Sequence, residues 1–332
     1  MGAGTAQAAH IIRAALMQPL VSVIVPVYNG QNHLAQALES ALSQDYPNKE
    51  VIVVNDGSTD GTAEVLRSFG DRIHAINQSN GGPPKARNAG LNAARGEYIA
   101  FLDADDVWLQ GKLSAQVAHL QSNPQDGACC FRWHVWPADA DGQFRQPDFA
   151  AHPIGPVQVD AQKSGWLYGR LLFDCELLTT TVMLRASTAR AVGEFDVGLR
   201  CGEDYDYWLR LSQTATISRL EPAGALYRVV EGSVSRSARR ENDELVVIRR
   251  AVQRYGLTDP GGMQVDETRL RNRIRALVFQ HGYLHLHRGD PAIALTAFKE
   301  GLRGQPWRPK LWLLALVAWF KSGRQARETA TS

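Results

Sequence analysis

Three short apolar runs mark the early part of the chain, and each stops at a polar turn. Val21-Ser-Val-Ile-Val-Pro-Val27 ends at Tyr28-Asn29-Gly30, Glu50-Val-Ile-Val-Val54 at Asn55-Asp56-Gly57, and Tyr98-Ile-Ala-Phe-Leu102 at Asp103-Ala-Asp-Asp106. Runs of this length, rich in β-formers and apolar at consecutive positions, read as strands buried on both faces. Pro26 closes the first run, because it cannot donate to a sheet ladder. Leu34, Leu38, Ala41 and Leu42 then fall at helical spacing. Ser58 or Thr59 is placed to N-cap a helix after the second run. Strand and helix alternating at intervals of about 30 residues is βαβ arithmetic, and it predicts an α/β fold with a largely parallel sheet.

Open α/β sheets bind ligands just beyond the carboxyl ends of their strands. The three junctions would therefore present Tyr28, Asp56 and the Asp103/Asp105 pair along one edge. Asp-x-Asp there supplies two hard oxygen donors, the setting in which Mg²⁺ or Mn²⁺ is held by carboxylates together with substrate phosphates. Taken alone, the same residues also suit a solvated acidic turn, with Asp106 capping a helix that begins near Val107. Arg87 follows the Gly/Pro stretch Asn80-Gly-Gly-Pro-Pro-Lys-Ala and lies in a predicted short helix over 85–94. Its planar, permanently charged fork suits a phosphate, with Lys85 as the second cation and helix N-terminal amides able to assist.

Further motifs follow in order: Leu-Ser-Gln-Asp-Tyr-Pro (42–47), Val-Asn-Asp-Gly-Ser-Thr-Asp-Gly-Thr (54–62), Ala-Arg-Asn-Ala-Gly (86–90) and Gly-Glu-Asp-Tyr-Asp-Tyr-Trp-Leu-Arg-Leu (202–211). With Val-Ser-Val-Ile-Val-Pro-Val-Tyr-Asn (21–29) and the Asp-x-Asp segment, residues 20–232 resemble a bacterial family 2 glycosyltransferase. The resemblance implies a GT-A fold, Rossmann-like with a mostly parallel central sheet flanked by helices. It also implies transfer of a sugar from a nucleotide-diphosphate sugar, a UDP-sugar by preference, to a hydroxyl of a glycan or lipid-linked acceptor.

The donor site would comprise Pro26, Tyr28, Asn29, Asp56, Lys85, Arg87 and Asp103. Tyr28 offers a ring face for the base, and the resemblance assigns base reading to Asp56. Asp105 is the leading ligand for Mg²⁺ or Mn²⁺; Asp103 could bind the ribose, the metal or both. A helix is expected to start near Asp204, where the dipole would keep a carboxylate ionised. By resemblance Asp204 stands at the position of the inverting enzymes' catalytic base, with Glu203 as second choice and Asp206 and Arg210 orienting their neighbours. Thr179–Arg185 reads as a strand on the acceptor side. Trp166, Tyr168 and Trp208 could stack on a sugar or fill the core, and Arg228 with Ser233–Arg236 resembles the loop that closes the site. Residues 131–165, with four prolines, read as a long surface loop governing acceptor choice.

With 332 residues, 44% of them hydrophobic, the chain can bury a large core and still carry an appendage. Charge divides it. Residues 236–332 hold 18 Lys+Arg against 9 Asp+Glu, whereas 1–235 hold 18 against 25. The division expected is an N-terminal extension over 1–19, a GT-A domain over 20–235 and a basic helical region over 236–332. Met17, four residues ahead of the first strand, is a candidate start. The four cysteines show no metal or disulfide spacing, which favours a reducing cytoplasm. No P-loop is present, which disfavours ATP hydrolysis, and no nucleic-acid motif accompanies the basic tail.

Beyond 236 the pattern is helical. A hairpin is expected around Gly289-Asp290-Pro291, with Pro291 in the first turn. His281, His285 and His287 lack the glutamate of zinc-protease spacing. Leu311–Phe320 is apolar throughout, about 15 Å as a helix and so too short for a bilayer core. Flanked by basic residues over 303–327, it could lie in an anionic membrane interface at the inner face of the cytoplasmic membrane, or dock on protein. Two other functions share part of this pattern. A haloacid-type phosphotransferase also carries Asp-x-Asp after a strand, but Asp105 here leads into Asp106-Val107-Trp108. A catalytically silent nucleotide-binding scaffold would need no Asp204.

Overall fold

In the computed structural model the described residues are 18–147, 152–199, 201–230 and 239–330, with side chains described as far as 324. The expectations for Met17 and for Ser233–Arg236 lie outside the described residues. The chain divides into two compact units. One runs from the start of the described residues to Leu167 and from Glu176 to Val230; the other joins Tyr168–Cys175 to the residues after Val230.

The first unit is built on one sheet. Strands β1 (Val21–Val27), β2 (Lys49–Asn55), β3 (His74–Asn77) and β4 (Tyr98–Phe101) lie in the order β3-β2-β1-β4, all parallel. The sheet continues through β8 (Val182–Arg185), β6 (Asp126–Pro137), β9 (Thr216–Val229) and β5 (Val107–Trp108), with β7 (Gln158–Val159) on β9. The parallel expectation holds as far as β4. Beyond it β8 runs antiparallel to both β4 and β6, and only the β6–β9 pair is again parallel.

Alternate residues of β1 serve two layers, as a pleated strand requires. Val21, Val23, Val25 and Val27 share a core with Leu34 and Leu38 of α1 (Leu34–Leu42) and with Leu113 and Val117 of α4 (Lys112–Ser122). Ile24 faces the other way, towards α3 (Pro83–Ala93). There Gly90 permits the approach, since a Cβ on it would sit 2.4 Å from Ile24 Cγ2. Cys129 and Cys130 are buried free thiols on β6.

Four local readings need correction. Pro26 does not end β1, which continues to Val27 with Pro26 opposite Val54. Neither Ser58 nor Thr59 caps α2 (Thr62–Phe69); Asp60 Oδ1 takes the Thr62 amide instead, and the Ser58 hydroxyl takes the Asn29 amide. Residues 131–137 are strand, not loop, because β6 pairs along its length with β9. Asp106 caps no helix: a short strand, β5, follows it, and α4 begins only at Lys112.

The first unit also carries α5 (Glu203–Thr214), and the second contains α6 (Asp243–Tyr255), α7 (Glu267–Arg288), α8 (Pro291–Gly304) and α9 (Pro309–Ala330). The α7–α8 turn forms as expected, with Pro291 in the first turn of α8 and the Asp290 carboxylate accepting from the Ala292 amide. Leu286, Ala294, Phe298, Leu302, Leu311, Ala315 and Ala318 make the core of these last three helices. Tyr168 donates to the Gly256 carbonyl at 2.9 Å and stacks edge-on against Tyr255, which ties Tyr168–Cys175 to this unit. His285 is structural: Nε2 meets the Arg239 carbonyl and Nδ1 accepts from the Asp290 amide. Among the described residues, no group of three or more His, Cys, Asp or Glu could hold a metal ion. No described helix is long and apolar enough to cross a membrane.

Candidate active site

The parallel strands deliver their terminal residues to one edge. After β1, Tyr28 is 52% exposed, a ring with a free face. Asn29 adopts a positive φ of 52°. Its amide donates to Ser58 Oγ and its side-chain oxygen accepts from the Thr59 amide, so the loops after β1 and β2 are clamped together. Pro26 is partly buried just upstream.

Asp56, after β2, is buried and held by its neighbours. Oδ1 accepts from Gln78 Nε2 at 2.7 Å and from the Gly81 amide at 2.9 Å, while Oδ2 accepts from the Gly82 amide at 2.7 Å. It thus fixes the loop that leads into α3, and Lys85 lies exposed in the first turn of that helix. Three of about four acceptor positions on the carboxylate are used, leaving one for a ligand.

Arg87, expected on a phosphate, is spent inside the protein. One terminal nitrogen donates to Asp103 Oδ1 at 2.9 Å and the other to Glu203 Oε1 at 2.7 Å, with the side chain 7% exposed. Burial works against the guanidinium's charge, but Asp103, Glu203 and Asp204 more than offset it and raise its pKa above the ordinary value. Next to it, Asn88 holds the Phe195 backbone through both ends of its amide, at 2.9 and 2.8 Å. Three residues of the Ala-Arg-Asn-Ala-Gly segment thus have distinct tasks: Arg87 bridges two carboxylates, Asn88 staples the Gly193–Gly198 turn, and Gly90 admits β1.

Beyond β4, the Asp103 amide donates to Thr180 Oγ1 at 2.9 Å. Burial, and then the charge of Asp103, push the Asp105 carboxyl up to about 6, with Arg228 and Arg87 pulling the other way. Such mutual repulsion between oxygen donors is what a divalent cation relieves, so Asp103 and Asp105 suit Mg²⁺ or Mn²⁺. Two protein carboxylates suffice where substrate phosphates complete the shell. Asp106 is buried, its Oδ1 accepting from the Arg228 amide, and burial with Asp105 and Asp103 keeps its pKa well above the usual range.

Arg228 serves the same corner. Its Nε donates to the Asp105 carbonyl at 2.6 Å, one terminal nitrogen to Gln36 Oε1 at 2.6 Å, and its guanidinium lies 4.2 Å from the Trp136 ring centre. It is a brace for the Asp105 backbone. Trp208, weighed as a sugar platform, is fully buried among Phe101, Phe195 and Tyr207 and has no face to offer. Trp166 keeps partial exposure.

Glu203 and Asp204 open helix α5 (Glu203–Thr214), whose N-cap is Gly202 at φ 75°. A left-handed cap of this kind suits glycine. Glu203 is held by Arg87, and burial followed by repulsion from Asp204 raises its pKa against the opposing pull of Arg87. Asp204 is only partly buried; its Oδ2 accepts from Thr179 Oγ1 at 3.3 Å. Asp206 pairs with Arg210 at 2.8 Å, and Arg210 also binds the Val192 and Glu194 carbonyls, orienting its surroundings as expected. Thr179–Thr181, read as the start of a strand, form a 3-10 turn ahead of β8, and the individual roles of Gln36, Gln78, Asn88, Thr179 and Thr180 escaped sequence reading. All five act on partners far along the chain, or on backbone, and carry no local signature.

A family model described as "Glycosyl transferase family 2" matches residues 22–153. WfaP of Escherichia coli, a UDP-Glc:alpha-D-GlcNAc-diphosphoundecaprenol beta-1,3-glucosyltransferase, is 31% identical over 227 residues, covering 67% of this chain and 82% of that one. The chain belongs to glycosyltransferase family 2. Among solved structures, S. aureus TarS 1-349 in complex with UDP-GlcNAc superposes with a TM-score of 0.58 at 20% identity, covering 91% of this family 2 chain and 88% of that one. The mannosyltransferase PcManGT of Pyrobaculum calidifontis, in complex with GDP-Man and Mn2+, gives 0.54 at 18% identity over 92% and 87%. These likenesses establish the GT-A fold. The chain spans about three fifths of the length of two Rickettsia glycosyltransferases that it matches, and about a third of two others.

Proposed function

We propose that this family 2 chain transfers a sugar from a nucleotide-diphosphate sugar, a UDP-sugar, to a hydroxyl of a glycan or lipid-linked acceptor, with inversion and with a divalent metal. One observation carries the reading. Arg87 joins Asp103, at the metal edge of the sheet, to Glu203, the neighbour of Asp204 on α5. Donor-side and acceptor-side carboxylates are thereby fixed to one buried cation, while Asp204 keeps its partial exposure.

In this reading Tyr28 stacks on the base and Asp56 uses its remaining lone pair on a base N–H. Asp105 and Asp103 hold Mg²⁺ or Mn²⁺, which when bound neutralises charge on the diphosphate leaving group. Asp204 removes the acceptor hydroxyl's proton as the oxygen attacks the anomeric carbon. The bond from that carbon to the diphosphate oxygen breaks, and the nucleoside diphosphate departs with the electron pair. Glu203, engaged by Arg87, positions the start of α5. A UDP-sugar complex of TarS, a Mn2+ complex of PcManGT and the lipid-linked substrate in the name of WfaP support donor, metal and acceptor class.

Nucleotide release from UDP-, GDP- and dTDP-sugars with Mn²⁺ or Mg²⁺ tests the proposal. Turnover of one donor by the wild type, lost in Asp105→Asn and Asp204→Asn, is expected. Metal-dependent turnover undiminished in Asp105→Asn would remove the metal assignment, and a product of retained configuration would remove Asp204 as base.

A further inference from the structure

Over residues 311–320 helix α9 is apolar on every side, and among the described residues only one side of it is packed. Leu311, Ala315 and Ala318 are buried against α7 and α8. On the opposite side Trp312, Leu313, Leu316, Trp319 and Phe320 are each more than half exposed, and Val317 is 37% exposed. An exposed apolar patch of this extent marks an interaction surface. Its surroundings indicate the partner. No acidic residue occurs between Glu300 and Glu328, a span holding Arg303, Arg308, Lys310, Lys321, Arg324 and Arg327.

A cavity of about 370 Å³ adjoins the N-terminal end of this helix. It is lined by Arg275, Arg308 and Lys310 together with Asn272, Gln305 and the Phe279 ring, and no carboxylate contributes to its wall. Among the described residues Arg275 donates to neutral oxygens, Asn272 Oδ1 and the Gly304 carbonyl. Tryptophan beside an apolar face, cations at both ends and a cationic cavity able to take a phosphate together describe a helix lying in a charged lipid interface.

We propose that the outer face of α9 and the adjoining cationic cavity dock the chain on an anionic phospholipid surface. The helix lies in the plane of the headgroups, and the cavity takes a lipid phosphate. The proposal rests on the second unit alone and is independent of the transfer reaction.

Flotation of the full chain with vesicles tests it. Vesicles of one part phosphatidylglycerol to two parts phosphatidylcholine are expected to bind the protein at least about tenfold more tightly than pure phosphatidylcholine, with loss of binding at high salt. Leu313→Glu/Leu316→Glu/Phe320→Glu should abolish flotation without lowering the melting temperature. Lys310→Ala should weaken binding to the anionic vesicles about fivefold and affect binding to the zwitterionic ones less; an equal effect on both would overturn the preference for an anionic surface. Inorganic phosphate at matched ionic strength should at most reproduce the weakening seen in Lys310→Ala, since it can empty the cavity but not lift the apolar face; complete release by phosphate would overturn the proposal. Failure to float with anionic vesicles would overturn it as well. So would a dimer that the triple substitution dissociates while vesicles remain unbound, which would assign the face to a second copy of the chain.

Discussion

The two units break the ordinary rule of burial in opposite directions. The first hides charge: Asp56, Arg87, Asp106, Lys112, Glu203 and Arg228 are all buried. The second exposes the apolar face of α9. Buried polar groups and exposed apolar patches are the informative departures, because scattered exposed leucines are normal. In the first unit the departure is compensated within the protein, carboxylate against guanidinium and amide. In the second none of the described residues covers it. A departure closed from within marks a preorganised site, and one left open marks a surface awaiting a partner.

The largest effects should come from the compensated side. Removing a general base costs about 10²- to 10⁴-fold in rate. Asp204→Asn should therefore lose activity on that scale while its unfolding midpoint stays close to wild type. Among the described residues the Asp204 carboxylate accepts from the Thr179 hydroxyl at 3.3 Å and the adjacent Tyr205 amide, and an asparagine can keep both, accepting from the amide and donating to the hydroxyl. A variant that instead unfolds early would make Asp204 a structural cap. Arg87→Met should do the reverse, destabilising by about 3 kcal/mol, because breaking a buried pair strands its partners. Urea denaturation measures this, and the loss should shrink as pH falls and Glu203, whose pKa burial raises, becomes protonated. A small, pH-independent loss would mean that the Asp103–Arg87–Glu203 bridge does not hold the edge together.

How much of this was legible follows from the range of each interaction. The strand-end residues Tyr28, Asp56, Asp103 and Asp105 were readable because a strand's end and its polar turn are encoded side by side. β6 and β9 were not. Their pairing joins residues 126–137 to 216–229, and Pro222 and Gly224 interrupt the run that would have betrayed β9. The same reason hid the use of Arg87: its chemistry suits phosphate and carboxylate equally, and Glu203 lies 116 residues away. For α9 the apolar run was plain, but which side would stay uncovered depended on the packing of Leu311, Ala315 and Ala318.

Lys112 sharpens the compensated half at intermediate magnitude. It is fully buried, donates to Gln116 Oε1 at 2.7 Å and lies 4.0 Å from the Trp108 ring centre. Burial pushes its pKa down to about 7, against about 10.4 for the unfolded chain. Between those values the unfolded state holds a proton that the native state lacks, so stability should rise with pH above 7. Cys129 and Cys130, whose pKa values burial raises, act oppositely once unfolded thiols ionise near about 8.5. The rise is therefore read between pH 7 and that point, as the difference between wild type and Lys112→Met. A flat difference would mean that the ammonium stays charged against the indole.

The smallest expected effect is the one that separates the two units most sharply. Leu316→Ser and Phe320→Ser, on the open face of α9, should each change folding stability by no more than about 0.5 kcal/mol, as surface substitutions do. Leu311→Ser on the same helix should cost several times more, since Leu311 is buried with Phe298 and Leu302. Thermal melts of the three variants, read against one another, decide whether α9 has one buried side or two. If Phe320→Ser proved as damaging as Leu311→Ser, the outer face would already be covered within the folded chain. The second unit would then be closed like the first, and its tryptophans would be core rather than surface. If only Leu311→Ser destabilises, the open face contributes nothing to folding, and its apolar residues are free to serve a surface outside the chain.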